Sequence, residues 1–194
     1  MKFSLPLGSK LLSIILYSDA TNCDTLGKSS LHPIYISLGN ISIWRRNKPD
    51  AKQLLGYLPI IKSSDTTEKR SQAFKNIVRE TFHRSLEILL EPLISLENGI
   101  NLSINDKTIW FFPKVFVVIA DWPEAATFCL TYKSLNSNNL CHTCLVTKNN
   151  LSNIKLLKKD MISRSHKNMT ESLQLNLEKS VSIESVSNYF WRFP

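Results

Sequence analysis

Three short runs of apolar residues stand near the start of the chain, and each is closed by polar or turn-forming residues. They cover Lys10–Ser18, residues 33–39 and residues 53–61. The first run is nearly all apolar, as in a strand covered on both faces, whereas the second alternates apolar and polar positions. Since the segments between the runs are short, the pattern predicts three neighbouring antiparallel strands.

The period of the pattern changes after residue 64. Asp65 and Glu68 have the spacing of a capping box, and apolar residues then recur three and four positions apart over residues 74–93. This spacing predicts a long amphipathic helix. Pro92 lies inside the pattern, so we expect a kink or break near Leu89. His83 is expected on the surface of this helix.

Residues 100–104 and 108–120 form two further apolar runs around a turn at Asn105 and Asp106. The second of these runs is the most hydrophobic of the chain. Pro113 divides it, so we expect residues 115–120 to be the strand proper. Pro123 then predicts the first turn of a helix that extends to about Tyr132. From Asn149 onward the chain is polar and is expected to add little to a core.

Length and composition exclude two classes of protein. Among 194 residues, 43% are hydrophobic and 21% charged, which excludes a chain that is disordered throughout. The longest apolar runs, residues 11–16 and 115–120, are far shorter than the roughly 20 residues needed to cross a bilayer. We therefore expect no membrane partner.

An acid follows each of two strongly apolar runs. Asp19 comes after the first run and Asp121 after the most hydrophobic one. If the two strands are neighbours in the sheet, their carboxylates converge, as in sites where two metal ions catalyse phosphoryl transfer. The alternative is that Asp19 caps a turn and Asp121 caps the following helix.

Cys141 and Cys144 form a CxxC motif, which can supply two thiolates to a zinc ion. His166 and His142 are candidates for further ligands, although His142 lies inside the motif, where its side chain is expected to point away from the metal. A redox-active pair is the alternative, but the βαβ pattern typical of that motif is missing. Cys23 and Cys129 are interpreted as buried small side chains.

The positive charge of the chain is concentrated near this motif. The formal net charge is +8, and residues 133–167 contain seven basic residues and one acid. A segment of this kind suits a polyanion such as nucleic acid, but an ordinary solvated surface gives the same composition.

Several strings in the sequence resemble the Plavaka transposases of fungal genomes, relatives of the CACTA-type transposable elements. The resemblance covers nearly the whole chain. The strings are IILYSDAT (14–21), HPIYISLGNI (32–41), NKP (47–49), GYLP (56–59), NGI (98–100), IWFFP (109–113), IADWPEA (119–125), CHTCLV (141–146) and NYFW (188–191).

The resemblance implies an α/β fold, a ribonuclease-H-like mixed sheet of five strands with a long helix, in a catalytic core that cuts and joins DNA. Asp19 matches the first and Asp121 the second acid of a DDE set, which binds Mg²⁺ or Mn²⁺. Cys141 and Cys144 match a zinc-binding insertion, and His166 is a weaker match as a Zn²⁺ ligand. Residues 1–133 are then a partial core, and residues 134–194 an incomplete, basic, CxxC-containing insertion.

The third acid of the family lies downstream of the insertion, and we assign none of Glu171, Glu178 and Glu184 to it. We therefore expect a truncated transposase domain that is inactive alone, whose intact relatives cleave DNA and transfer strands. The implied partners are DNA, at transposon ends and targets, and further copies of the chain, in the nucleus. The alternative is a non-catalytic, zinc-containing remnant of a transposon that binds nucleic acid, or a reading frame that folds poorly.

Overall fold

The computed structural model describes residues 5–23 and 30–192, which form a mixed α/β structure. Its strands are β1 (Lys10–Ser18), β2 (Thr21–Asn22), β3 (Ser30–Leu31), β4 (Pro33–Leu38), β5 (Gln53–Tyr57), β6 (Ile100–Ile104) and β7 (Lys107–Ile119). The helices in these residues are α1 (Ile43–Arg46), α2 (Thr66–Arg70), α3 (Gln72–Ser95), α4 (Trp122–Cys129), α5 (His166–Gln174) and α6 (Glu178–Val181). None of the described helices has the length and apolarity required of a membrane span.

The chain divides into two compact units. Unit 1 comprises Met1–Ile60 and Ser85–Ala120, and unit 2 comprises Ile61–Arg84 and Asp121–Pro194. The sheet of unit 1 has the strand order β5-β4-β1-β7-β6, and β2 pairs with β3 separately. The predicted division at residues 133 and 134, into core and insertion, stays a prediction.

The antiparallel arrangement predicted for the first three strands is confirmed. β1 pairs with β4, and β4 with β5, both antiparallel. β5 ends at Tyr57, before Pro59, and is therefore shorter than the apolar run that contains it. Proline lacks the N–H that would continue the ladder, which explains the early end.

β7 lies on the other side of β1 and runs parallel to it, from Lys10 opposite Phe111 to Tyr17 opposite Ile119. The predicted division of this strand at Pro113 is wrong, because β7 continues through Pro113 and its irregularity falls between Val115 and Val117. The ladder with β6 stops at Phe111. Beyond that point β7 has an edge without a β6 partner, where a residue without an N–H is tolerated.

The core of unit 1 lies between the sheet and the C-terminal half of α3. Ile14 and Leu16 in β1 and Leu86 and Leu90 in α3 are all buried. The approach is close at Gly56 of β5, where an added β-carbon would lie 3.0 Å from Cδ2 of Leu89. A residue without a side chain at this position therefore lets the helix pack against the strand.

The break predicted near Leu89 is absent. The helix is continuous from Gln72 to Ser95, with Pro92 inside its last turn, and the break occurs at Ser71 between α2 and α3. Asp65 caps α2 as predicted, since its carboxylate accepts hydrogen bonds from the N–H groups of Thr67 and Glu68. Pro92 lacks the N–H that would bond the carbonyl of Ile88, and the helix ends three residues later, at Ser95.

Unit 2 is built around α4 and the C-terminal segment, which contributes more to the core than its polar composition predicts. Met169, Ile183, Val186 and Tyr189 are buried. The chain after α6 returns to the end of α4, where the N–H of Glu184 donates to the carbonyl of Leu130 at 2.8 Å. Phe82 of α3 meets Phe128 of α4 edge to face, with ring centroids 5.2 Å apart.

His83 is part of this core, and the prediction that it lies on the surface is wrong. Its side chain is 3% exposed. Nδ1 accepts a hydrogen bond from the N–H of Tyr189, and Nε2 lies 3.1 Å from the carbonyl oxygen of Thr127. Because the first partner only donates and the second only accepts, the ring is neutral with its proton on Nε2. Burial lowers the pKa of His83 to about 4.

Candidate catalytic and metal-binding residues

Asp19 lies directly after β1, at the end of the central strand of unit 1. Alternation along the strand buries Leu16 and Ser18, whereas Tyr17 and Asp19 are exposed. The hydroxyl of Tyr17 donates to Oδ2 of Asp19 at 3.3 Å. Ser18 Oγ lies 3.1 Å from Nε2 of His32, in the interior. The backbone that carries Asp19 is therefore fixed by the strand and by a buried polar contact.

The two strands that precede the predicted acids are neighbours. β1 and β7 run parallel and end together, with Tyr17 opposite Ile119. Asp19 is the first residue after β1, and Asp121 is the second residue after β7. The strand pairing that the metal-site hypothesis requires is therefore present in unit 1. Asp19 belongs to that unit, and Asp121 is the first residue of unit 2.

Asp121 is also the N-cap of α4. Its Oδ1 accepts a hydrogen bond from the N–H of Glu124 at 2.7 Å, and Pro123 occupies the first turn as predicted. Both features stabilise the start of a helix. The cap uses one carboxylate oxygen, so capping and metal binding are compatible roles for this side chain.

The CxxC motif forms a tight turn in unit 2. Sγ of Cys141 accepts a hydrogen bond from the N–H of Thr143 and lies 3.2 Å from its hydroxyl oxygen. Cys144 pairs with Ser163 in an isolated antiparallel bridge, and the N–H of Leu145 donates to the carbonyl of Ile162 at 2.8 Å. The motif is thus joined to the segment just before α5.

Arg164 connects the two sides of this turn. Its guanidinium donates to the carbonyl oxygens of Cys141 and Asn139, at 2.9 and 3.2 Å. Its own N–H donates to the carbonyl of Thr143. Burial lowers the pKa of Arg164, although the nearby cysteines act in the opposite direction. This side chain therefore has a structural role that its place in a basic segment did not indicate.

The two thiols of the motif differ in their surroundings. Burial acts to raise the pKa of Cys141, but hydrogen bonds from Thr143 and Cys144 outweigh it, and that pKa lies below its usual value. Burial raises the pKa of Cys144, which is 9% exposed. Cys129 is half-buried, and burial raises its pKa as well. Cys141 is accordingly the thiol of the pair that ionises more readily.

His166 is the first residue of α5, three positions after the serine that pairs with Cys144. It is exposed, and α5 starts with a capping box formed by Ser165 and Asn168. Within residues 5–23 and 30–192, no three histidine, cysteine, aspartate or glutamate side chains come together as a metal-binding group. The predicted ligand sets stay predictions.

One family model matches the sequence, that of the Plavaka transposases, over residues 2–193. The chain belongs to the Plavaka transposase family. No curated protein matches it. Membership indicates a transposase-derived function and implies DNA as a partner.

In this Plavaka chain, the first of the two residues between the cysteines packs against the residue that follows Asp121. The His142 ring lies on the indole of Trp122, with centroids 4.2 Å apart, and its Nδ1 lies 2.7 Å from the hydroxyl oxygen of Thr131. Burial, and next the charge of Arg164, lower the pKa of His142. Sequence reasoning missed this contact, as it missed His32 beside Ser18, because neither spacing nor composition signals a pair distant in sequence.

Proposed function

We propose that this member of the Plavaka family forms part of a transposase catalytic domain with a ribonuclease-H-like fold. Asp19 and Asp121 are then the first two acids of a DDE set, and the substrate is a DNA phosphodiester. The parallel pairing of β1 with β7 carries this proposal, because it ends two apolar strands side by side, each just before an acid. A nuclear location follows from the DNA substrate.

The residues present fit a hard divalent cation. Mg²⁺ and Mn²⁺ prefer carboxylate oxygens, and Asp19 and Asp121 are exposed. In the proposal these two side chains hold the ion, which would act as a Lewis acid toward a phosphodiester. Tyr17 orients the Asp19 carboxylate through its hydroxyl. The cap on Glu124 fixes the rotamer of Asp121 and leaves its second oxygen for the metal.

Glu184 does not complete this set, because it is engaged in unit 2. Its Oε1 lies 2.5 Å from Nη2 of Arg79, and the two side chains are 13% and 21% exposed. A carboxylate committed to such an ion pair is unavailable as a metal ligand. With no third acid assigned, we expect the chain alone to show little or no strand transfer.

Substitution by asparagine separates metal binding from capping. Asparagine caps helices about as well as aspartate but carries no negative charge. We expect Asp121→Asn and Asp19→Asn to weaken Mn²⁺ binding, measured by calorimetry and by electron paramagnetic resonance, with little change in unfolding free energy. Asp65→Asn is the matched control, since Asp65 is also an N-cap but lies outside the proposed site.

One outcome would remove the proposed metal site, and another would contradict only the expected inactivity. Mn²⁺ binding that is equal in Asp19→Asn, Asp121→Asn and Asp65→Asn would remove the metal site. Metal-dependent strand transfer by the purified wild-type chain, abolished by Asp19→Ala, would support the role of Asp19 and show that the expected inactivity is wrong.

The second candidate is a non-catalytic, zinc-containing protein that binds nucleic acid. The CxxC turn favours it, because an N–H donated to Sγ of Cys141 stabilises the thiolate that zinc requires. In this proposal Cys141 and Cys144 hold the ion, with His166 as a further ligand, and the basic residues of 133–167 contact phosphates. The zinc would hold the turn together and take no part in chemistry.

Titration with Co²⁺ as a zinc substitute tests the ligands. We expect thiolate-to-metal absorption that is lost in Cys141→Ser and reduced in His166→Gln; unchanged absorption in His166→Gln removes that ligand. On duplex DNA, the logarithm of the affinity should fall by about 0.9 per unit rise in the logarithm of the salt concentration, for each phosphate neutralised. Binding that is independent of salt, or absent, would exclude the contact between the basic segment and phosphates.

A further inference from the structure

The most exposed tryptophan of the chain lies in the short helix α1, within the connection between β4 and β5. Trp44 is 70% exposed, compared with 51% for Trp122 and 37% for Trp110, and its neighbour Ile43 is 68% exposed. Within the described residues, neither a ring contact nor a hydrogen bond engages its indole. An indole left in water forgoes the free energy of burying a large apolar surface. The position of Trp44 is therefore better explained by a partner than by folding.

Several basic residues lie close to Trp44 in the sequence. Residues 42–52, which we call the basic turn, contain four basic residues and one acid. Arg45 forms a two-pronged ion pair with that acid, Asp50, through N–O distances of 2.8 and 2.7 Å. The remaining positive charges belong to Arg46, Lys48 and Lys52, and the structure gives them no acidic partner among the described residues.

Hydrogen bonds anchor the basic turn to the sheet at both ends. Just before it, Asn40 accepts from the N–H of Ser13 and donates to the carbonyl of Leu11, at 2.7 and 2.9 Å. At its end, the hydroxyl of Ser37 donates to the carbonyl of Ala51 at 3.0 Å. A surface held in this way loses little conformational entropy when a ligand binds.

We propose that the basic turn is a nucleic-acid contact surface, in which Trp44 stacks on an unpaired base and Arg46, Lys48 and Lys52 bind the flanking phosphates. Stacking on an exposed aromatic ring within a positive surface is the general way in which proteins hold single-stranded nucleic acid. The inference rests on the proposed function for its partner, DNA.

The basic turn lies at the end of the sheet opposite Asp19. It joins the end of β4 to the start of β5, near the first residues of β1, whereas Asp19 follows the last residue of β1. Nine residues of strand separate the two ends by roughly 25 Å. The surface would therefore contribute to DNA affinity and not to the chemistry at Asp19.

Charge argues against a second copy of the chain as the partner. In a symmetric dimer the same patch meets itself, so three unpaired cations would face three others. Juxtaposed like charges oppose association, whereas a polyanion is attracted to the same surface. The test must therefore distinguish DNA binding from self-association through Trp44.

The test measures binding of the full chain to a fluorescein-labelled oligothymidylate and to a blunt duplex of equal length, over a series of salt concentrations. We expect Trp44→Ala to weaken binding to the single strand by roughly 5- to 100-fold, and binding to the duplex less. The salt dependence of binding by Trp44→Ala should equal that of the wild type, because no charge is lost. For the single strand, Lys48→Gln should instead make the slope of log affinity against log salt concentration shallower by about 0.7. Trp44→Phe should recover much of the affinity.

Two controls and three outcomes decide the proposal. Phe116→Ala removes an aromatic side chain that is 73% exposed, and Lys69→Gln removes an exposed cation in unit 2; both should bind as the wild type does. Binding by Trp44→Ala within about twofold of wild type overturns the proposal. So does a Trp44-dependent change of sedimenting mass without a change in DNA affinity. A wild-type chain that binds neither DNA overturns the proposed function as well, which separates the two failures.

Discussion

The imidazole of His142 lies on the indole of Trp122, with ring planes inclined by 42°. Trp122 is the first residue of α4 and directly follows Asp121, whereas His142 lies between the two cysteines of the CxxC motif. This ring contact therefore links the proposed zinc turn to the helix that Asp121 caps, within unit 2.

We predict that His142→Ala lowers the free energy of unfolding by roughly 1–2 kcal/mol, because it removes both the contact with the indole of Trp122 and the hydrogen bond with Thr131. Urea denaturation in the presence of a chelator measures this without a contribution from metal. His142→Phe retains a ring but no hydrogen bond, and should restore part of the loss. Equal stability of His142→Ala and wild type would show that the contact is not stabilising.

The stability of the protein should fall with acid because of His83. Its pKa is about 6.5 when unfolded and about 4 when folded, so the unfolded state binds the extra proton below about pH 6.5. The contribution of the neutral ring is complete above that pH and is lost as the pH falls to 4. The total loss is roughly 3 kcal/mol, at about 1.4 kcal/mol per unit of pKa.

Urea denaturation at pH 7.5 and pH 5 should therefore show a smaller difference in His83→Gln than in the wild type, by about 2 kcal/mol. His166→Gln replaces an exposed histidine and is the matched control, which should keep the wild-type difference. The lowered pKa of His142 acts in the same direction in all three proteins and cancels in the comparison. A His83→Gln variant with the full pH dependence would contradict the assignment of the neutral ring.

The ion pair of Arg79 and Glu184 should be important for the stability of unit 2. Glu184→Gln leaves a guanidinium that is mostly buried without its counter-charge, and Nη1 of Arg79 already has no partner in the described residues. We expect a loss of roughly 2–4 kcal/mol. Arg79→Met with Glu184→Leu, which removes both charges, should lose less than either single change. Glu171→Gln, on α5, is the control, because it removes an acid that forms no ion pair with any described residue.

Gly99 and Gly8 offer a matched test of packing in unit 1. Both have left-handed backbone, with φ of +81° and +83°. An added β-carbon at Gly99 would lie 2.5 Å from Nε1 of Trp110 and 2.8 Å from the carbonyl oxygen of Phe111, whereas at Gly8 no atom of the described residues lies within 4 Å. We expect Gly8→Ala to cost about 1 kcal/mol of unfolding free energy, from backbone strain alone. Gly99→Ala should cost at least about 1 kcal/mol more.

A comparable loss in Gly8→Ala and Gly99→Ala, measured by urea denaturation, would mean that the chain around Trp110 relaxes freely. That result would also mean that the hydrogen bond from Nε1 of Trp110 to the carbonyl of Asn98 does not hold this turn in place.

Local signals in the sequence predict local parts of the fold. The alternation around Ile34 and the short connections give the antiparallel strands, and Asp65 and Asp121 are recognisable caps. Position within an element explains the errors at Pro92 and Pro113. The sequence around Pro92 does not show that its helix ends three residues later, and the sequence around Pro113 does not show that the strand edge beside it is unpaired.

The candidate site depends on contacts that no local pattern encodes. The acids after β1 and β7 could be identified from sequence, but the pairing of these strands joins residues about a hundred positions apart. The burial of His83 depends on Tyr189, and the position of His142 depends on Trp122. Such pairs form when segments distant in sequence pack together, so hydrophobic periodicity does not predict them.

The parallel pairing of β1 with β7 also has a consequence for synthesis of the protein. β1 can pair with β4 as soon as both strands have left the ribosome. Its other edge can pair only with β7, which is complete once Ile119 has been synthesised. At 5–20 residues per second this interval lasts roughly 5–20 s. During that time β1, a strongly apolar strand, exposes an unpaired edge, a template for aggregation. Expression at low temperature with chaperones that bind extended apolar segments should accordingly improve the soluble yield.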